Sequence, residues 1–236
     1  MKVGFFDSGI GGTCILRAFR SLRPDVETEY IADTKNCPYG NKPPDEVVRL
    51  ADACTARLLR KGCGIIVVAC NTATAAAIDH LRAKHPEIPF VGIEPAIKPA
   101  ALRSKSGVVG VLATAGTFNG RLYNETKARF AKSVTVLAVV ADEFVALVEA
   151  GRDAILRGES ICEGASAAKI ERIVRRRIEP LLKAGADKIV LGCTHFPHLA
   201  PIIEKVCFGQ AEVIDPSMSV ARQVVRMLER LEEAER

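Results

Sequence analysis

Two cysteines lie in closely similar local sequences. Cys70 is in VVACNTA (67–73) and Cys193 is in VLGCTHF (190–196), so each follows an apolar run and precedes a threonine and another polar residue. The two segments are about half the chain apart. This repetition predicts two similar lobes, each with a cysteine at the end of a central strand.

Thiols that face each other across a cleft could carry out general acid–base chemistry. One thiolate would remove a proton from one face of a carbon, and the opposite thiol would deliver a proton to the other face, which inverts a stereocentre. Such groups work best when their pKa values lie near the working pH. The N-terminus of a helix after each cysteine would lower the pKa of the thiol and favour the thiolate.

Other uses of a thiol explain less of this pattern. Buried packing is the usual role of a free cysteine, but it does not account for two matched surroundings. A zinc site would draw on four residues, Cys70, Cys193, His195 and His198, which do not form the tight local cluster of structural zinc sites. Cys193 and His195 could form a nucleophile and its base, which leaves Cys70 without a role.

Polar residues also follow another predicted strand, 3–6. Asp7 comes directly after it and could bind a substrate ammonium group or steer Cys70. The glycines of the next five residues, SGIGG (8–12), let backbone N–H groups approach an anion. Their spacing is not a dinucleotide-binding fingerprint, because the third glycine is missing. The polar residues after the two cysteines, Asn71, Thr72 and Thr194, can bind carboxylates, and His195 could assist Cys193.

Short apolar runs alternate with longer amphipathic stretches along the whole chain. The predicted strands are 3–6, 29–32, 65–69, 90–92, 107–112, 134–139, 188–191 and 212–214. The predicted helices are 12–21, 44–61, 72–84, 117–131, 164–183 and 217–233. This rhythm predicts an α/β fold with two similar lobes, each a mostly parallel sheet flanked by helices. Because ligands bind outside the carboxyl ends of parallel strands, the active site is expected in the cleft between the lobes.

The predicted division of the chain is discontinuous. Residues 1–96 and 209–236 form the first lobe, which carries Asp7 and Cys70, because we expect the last strand and helix to return to it. Residues 97–208 form the second lobe, which carries Cys193 and His195.

The composition is that of a soluble globular protein. The chain has 236 residues, 48% hydrophobic and 26% charged, and a net charge of +5. The densest basic run, 175–177, lies in a helical pattern and predicts a solvated face, so we expect no nucleic-acid partner. No signal peptide or membrane-spanning run is visible, which predicts a cytoplasmic protein without a membrane partner. The eight cysteines form no C-x-x-C pair and should be free thiols there.

Five motifs together resemble the glutamate racemases of the aspartate/glutamate racemase superfamily. They are FDSGIGG (6–12), YIADTKNCPYGNK (30–42), VVACNTAT (67–74), VLATAGT (111–117) and LGCTHFPHL (191–199). They occur in the family's order and cover nearly the whole chain. The resemblance implies an enzyme, a homodimer without cofactor or metal, that interconverts L- and D-glutamate for peptidoglycan synthesis.

The resemblance also implies roles for individual residues. Cys70 and Cys193 would be the catalytic acid/bases, assisted by Asp7 and His195, and Glu149 in FVALVEAG would support the side of Cys193. The implied substrate contacts are Asp7, Ser8, Tyr39, Gly40, Asn71, Thr72, Thr114, Thr117, Thr194 and His195.

The sequence departs from the family's pattern in two places, and other interpretations stay open besides. The segment VVADE (139–143) stands where the family often has a Cys-Pro pair, and 158–169 differs somewhat as well. The substrate could be aspartate or another compact carbon acid, and a binding protein that has lost turnover is a further alternative. No lysine suited to pyridoxal phosphate lies at a strand end, since the nearest, Lys35 and Lys42, lie in a loop.

Overall fold

Two four-stranded parallel sheets form the framework of the protein. The computed structural model describes residues 1–131 and 133–234. The first sheet has the order β2-β1-β3-β4 and contains β1 (Lys2–Asp7), β2 (Thr28–Ala32), β3 (Cys63–Val68) and β4 (Phe90–Gly92). The second sheet has the order β6-β5-β7-β8 and contains β5 (Val108–Ala113), β6 (Thr135–Val140), β7 (Lys188–Gly192) and β8 (Glu212–Ile214). The predicted fold class is confirmed.

Eleven α-helices of the described residues cover the sheets. They are α1 (Thr13–Leu22), α2 (Pro44–Arg60), α3 (Asn71–Lys84), α4 (Ile97–Arg103), α5 (Ala115–Phe118), α6 (Arg121–Phe130), α7 (Asp142–Ala150), α8 (Arg152–Leu156), α9 (Ala167–Lys183), α10 (Ala200–Cys207) and α11 (Ser217–Ala234). Helix α2 shows why a helix begins where it does. Pro44 is its first residue, and the negative charges of two acidic residues in its first turn are stabilised by the positive end of the helix dipole. None of the helices within the described residues is long and apolar enough to cross a membrane.

The central strands are buried on both faces, as parallel sheets require. In β1, Phe5 packs in the core under α1 and α11, whereas its neighbour Phe6 packs in the core under α2 and α3. In β5, Val111 and Leu112 divide in the same way between the two cores of the second sheet. This alternation fixes the register of the central strands and therefore the positions of the residues that follow them.

The predicted return of strand 212–214 to the first lobe is wrong. β8 pairs in parallel with β7, with Val213 opposite Ile189. Of the last two elements of the chain, α11 alone packs on the first sheet, where Val224 lies in the same core as Phe19 of α1. A strand of only three residues carries too little information to show which sheet it joins, so the pattern could not decide. The boundary near 96–97 stays a prediction, and we place the second boundary after β8.

The helix predictions are incomplete in the second lobe. Helices α4, α7, α8 and α10 were not predicted, and the predicted helix 117–131 is broken at Gly120 into α5 and α6. The unpredicted helices have 5 to 9 residues, which is too short for a clear hydrophobic period. One of them, α7, carries a residue of the site.

Candidate active site

The carboxyl ends of the central strands of both sheets meet around one small enclosed cavity. It is lined by Ser8, Pro38, Tyr39, Gly40, Cys70, Asn71, Thr72, Thr114, Val145, Cys193, Thr194 and His195. Its volume is about 10 Å³, which is room for about one water molecule. Cys70 and Cys193 therefore line the same cavity from different lobes.

Cys70 is the N-cap residue of α3. Its backbone is extended, and its Sγ accepts a hydrogen bond from the N–H of Ala73 at 3.4 Å and lies 3.9 Å from the Ser8 hydroxyl. Burial nevertheless raises the pKa of the Cys70 thiol, and the nearby Asp7 carboxylate raises it further. The expected lowering of this pKa is wrong, because desolvation outweighs the effect of the helix terminus.

Cys193 follows β7 and has a different partner. Its Sγ lies 3.7 Å from Nδ1 of His195. The next ordered element is a 3₁₀ turn, Phe196–Leu199, rather than a long helix, so the two thiols are not equivalent. Burial raises the pKa of the Cys193 thiol well above its ordinary value, although the backbone N–H of His195 opposes this.

His195 connects Cys193 to Glu149 of α7. Nε2 of His195 lies 2.6 Å from Oε1 of Glu149, and the same oxygen accepts a hydrogen bond from the Ile10 N–H at 2.8 Å. Burial opposes ionisation of Glu149, but these hydrogen bonds outweigh it and the pKa of the carboxyl is lowered. An ionised Glu149 keeps the proton of the neutral imidazole on Nε2, which leaves Nδ1 as an acceptor for the Cys193 thiol.

Replacing Glu149 with glutamine should change how stability depends on pH. Because the pKa of Glu149 is lower in the folded protein than in the unfolded chain, its stabilisation is complete above the unfolded pKa of about 4.3 and is lost as the pH falls through the folded pKa. We expect Glu149→Gln to lower the melting temperature at pH 7 and to lower it less as the pH falls below about 4.

Glu143→Gln is the matched control for this experiment. Glu143 lies in the same helix and pairs with Arg177 at the surface, where an ion pair contributes little stability. Thermal unfolding of both variants and the unaltered protein at pH 7 and pH 3 gives the comparison. A deficit of Glu149→Gln that stays constant or grows in acid would contradict the ionised state of Glu149.

Asp7 lies behind the wall of the cavity. Its Oδ2 accepts hydrogen bonds from the N–H groups of Gly12 at 2.9 Å and Gly9 at 3.4 Å, and its Oδ1 accepts one from the Thr194 hydroxyl at 3.3 Å. Burial raises the pKa of Asp7, and the hydrogen bonds from the backbone N–H groups of Gly12 and Gly9 only partly oppose this. The contacts tie the loop after β1 to the loop after β7, and a direct contact of Asp7 with substrate stays a prediction.

Asn71 carries the most direct sign of a ligand. Both polar atoms of its side-chain amide are buried, and neither has a hydrogen-bond partner among the described residues. A buried amide without a partner costs on the order of 1–3 kcal/mol, so such a group in a cavity wall indicates that a polar ligand satisfies it.

Three of the four threonines predicted for the site form a chain of hydroxyls between the lobes. Thr72 Oγ1 lies 2.9 Å from Thr114 Oγ1, which lies 3.0 Å from Thr117 Oγ1. Thr72 and Thr114 line the cavity, whereas Thr117 lies behind them. The hydroxyl of Tyr39 donates to Asp33 at 2.6 Å, so it is already satisfied while the residue lines the cavity.

Three residues near the cavity were not predicted for the site, although each lies in a segment that carries the family resemblance. Pro38 and Val145 line it, and Cys37 lies beside Glu149 and His195. Cys37 is half-buried, and burial together with the Glu149 carboxylate raises the pKa of its thiol to about 12. These residues reach the site because residues 34–38 fold against α7. The local pattern of apolar and polar residues does not predict that contact.

Comparison with known proteins gives a consistent result. Residues 13–224 match the model of the Asp/Glu/Hydantoin racemase family. The chain is 45% identical over 226 residues to a glutamate racemase of Herpetosiphon aurantiacus, which covers 96% of this chain and 84% of that protein. A glutamate racemase of a Roseiflexus species is 42% identical over 228 residues, covering 96% and 79%. The crystal structure of Escherichia coli glutamate racemase with L-glutamate and the activator UDP-MurNAc-Ala superposes with a TM-score of 0.82 at 36% identity, covering 97% of this chain and 82% of that one.

Proposed function

The chain belongs to the Asp/Glu/hydantoin racemase family, and on that premise we propose that it is a glutamate racemase. It interconverts L- and D-glutamate by proton transfer at the α-carbon, without a cofactor, and so supplies D-glutamate for peptidoglycan synthesis. The observation that carries the proposal is the position of two thiols, Cys70 and Cys193, on one cavity but in different lobes. Groups in this arrangement can reach opposite faces of one carbon atom.

Stabilising the carbanionic charge is the main demand of this reaction. When the α-proton leaves, negative charge develops and moves partly onto the α-carboxylate. Fixed donors that face the carboxylate in a site without water stabilise this charge most effectively. The side chains of Asn71, Thr72 and Thr194 are buried in the cavity wall and are the donors that we assign to this role.

A thiolate must form when the substrate binds, because burial raises the pKa of both thiols. The α-ammonium group of glutamate brings a positive charge into a low-dielectric site, which favours the thiolate. Cys193 can pass its proton to Nδ1 of His195, 3.7 Å away, and the resulting imidazolium is stabilised by Glu149. While the Cys193 thiolate removes the α-proton of one enantiomer, Cys70 stays protonated and donates its proton to the opposite face of the carbon. The two thiols exchange these roles when the other enantiomer is the substrate.

Substrate entry requires the lobes to separate. The cavity has a volume of about 10 Å³, far less than a glutamate molecule occupies. A larger groove of about 460 Å³ shares Gly40 and Thr72 with the cavity wall, and we assign it as the route from solvent. Closure of the lobes after binding would exclude water from the reacting carbon. The homodimer that the family resemblance implies stays a prediction.

A racemisation assay without added cofactor tests the proposed function. Reduced, dialysed protein is incubated with L-glutamate and, separately, with L-aspartate, and circular dichroism with chiral chromatography follows the enantiomers. We expect D-glutamate to accumulate until the two enantiomers are equal, and aspartate to react far more slowly. If aspartate is converted faster than glutamate, aspartate is the substrate. If folded protein converts neither amino acid, the proposal that it is a racemase is contradicted.

A further inference from the structure

Cys37, Glu149 and His195 form a cluster of metal-ligating side chains on the outer side of the cavity wall. One ligand atom from each of the three residues lies within 4.8 Å of the other two. The residues come from different parts of the fold: Cys37 precedes α2, Glu149 lies in α7, and His195 follows β7. The proposed chemistry uses Glu149 and His195 but gives Cys37 no role.

We propose that this cluster is a binding site for a zinc-class divalent metal ion, which inhibits the enzyme rather than serving its reaction. Thiolate, imidazole and carboxylate are the side chains that bind Zn²⁺, with bond lengths of about 2.0–2.3 Å. Three such ligands leave one position of a tetrahedral ion for water. The thiol proton of Cys37 is released to solvent when its sulfur binds the ion.

Binding the ion requires only a local adjustment. Ligand atoms around a tetrahedral zinc ion are about 3.3–3.7 Å apart, whereas Nε2 of His195 and Oε1 of Glu149 are 2.6 Å apart. To reach this geometry, the two atoms must move apart by about 0.7 Å. The sulfur of Cys37, which lies at most 4.8 Å from each of them, must move closer to both. Glu149 and Cys37 are both partly exposed, so their side chains have room to do so.

A groove connects this cluster to solvent. It has a volume of about 530 Å³ and is lined by Cys37, Glu149, two further carboxylates, Asp142 and Glu143, and one guanidinium group, Arg152, among others. The excess of carboxylates favours the approach of a cation. The groove shares Pro38 and Val145 with the cavity, but Cys37 and Glu149 line the groove alone, so an ion can reach these two ligands without entering the cavity.

The expected consequence is loss of turnover, and this part rests on the proposed function. A metal ion on Nε2 of His195 would replace the hydrogen bond to Glu149 and move the imidazole proton from Nε2 to Nδ1, so that Nδ1 could no longer accept the proton of the Cys193 thiol. Binding of the ion itself does not depend on that function, because it can be followed without any substrate.

Cadmium binding to the whole protein tests the site directly. Cd²⁺ is titrated into reduced, chelator-treated protein while the ultraviolet charge-transfer band of cadmium thiolate is recorded. We expect one ion per chain, and we expect Cys37→Ser to weaken its binding at least about tenfold. Cys162→Ser is the matched control, because Cys162 is also a half-buried free thiol but lies against the carbonyl of His198 rather than in the cluster. This variant should bind Cd²⁺ as the unaltered protein does.

A second measurement keeps the test independent of the variants. In the unaltered protein, Zn²⁺ should slow alkylation of Cys37 by iodoacetamide, read by mass spectrometry, and leave alkylation of Cys162 unchanged. Equal binding by the unaltered protein and Cys37→Ser, or no protection of Cys37, would overturn the site. If the protein binds Cd²⁺ through Cys37 but never racemises glutamate, the site stands and the proposed function fails.

Discussion

We expect Cys70→Ser and Cys193→Ser each to slow racemisation strongly while each still exchanges the α-proton of one glutamate enantiomer with solvent. A serine hydroxyl is far too weak an acid to serve as the missing proton carrier, so the loss should be about 10²–10⁴-fold. The remaining thiol can still remove the proton that faces it and return a solvent-derived one to the same side. Incubation in deuterated water, followed by α-proton NMR and chiral analysis, measures exchange and inversion separately.

The pattern across the two variants is the informative result. Because the thiols lie in different lobes, the variants should exchange opposite enantiomers. Cys207→Ser provides the control, since Cys207 is a buried thiol in α10 that does not line the cavity. Exchange of the same enantiomer by both variants, or racemisation within tenfold of the control, would contradict opposed proton transfer.

The second large effect is expected at Gly11, where the loop after β1 lies against the loop after β7. A Cβ atom at this position would lie 2.6 Å from Nδ1 of His195 and 2.8 Å from the backbone carbonyl carbon of Thr194. The backbone of Thr194 cannot move aside as a flexible side chain would, so Gly11→Ala should hold the lobes apart. A displacement of about 1 Å in the site costs on the order of 10²-fold in rate.

Gly110→Ala separates this effect from simple overpacking. A Cβ at Gly110 would lie 2.8 Å from Cδ1 of Leu181 and 2.9 Å from Cδ1 of Ile189, which are ends of side chains in the core of the second lobe. We expect Gly110→Ala to lower the melting temperature with kcat unchanged, and Gly11→Ala to lower kcat. Steady-state rates and thermal unfolding of both variants decide this, and normal kcat in Gly11→Ala would contradict the close approach.

The sequence predicts the site's two thiols because their positions depend on strand ends. Apolar runs such as 65–69 and 188–191 are nearly free of polar alternation, which indicates strands buried on both faces. Parallel strands have their carboxyl ends at one edge of a sheet, so Cys70 and Cys193 had to lie at the edges where ligands bind. The local pattern alone carries this information.

Other features depend on contacts between distant segments and have no local pattern. The contact of Glu149 with His195 requires α7, a nine-residue helix, to pack beside the loop after β7. The proximity of Cys37 to both residues depends on the same packing. The direction of the thiol pKa shifts could not be predicted either, because it depends on how completely the lobes exclude water, which outweighs the helix terminus at Cys70.

The most direct test of opposed proton transfer uses the unaltered protein in deuterated water. L-glutamate is allowed to react to low conversion, and the deuterium content at the α-carbon is measured separately in the product and in the remaining substrate. If one thiol removes the proton and the other delivers a solvent-equilibrated one, D-glutamate carries deuterium while the remaining L-glutamate still carries protium. D-glutamate that retains the substrate's own proton, or deuterium that enters both pools equally from the start, would show that a single group serves both faces.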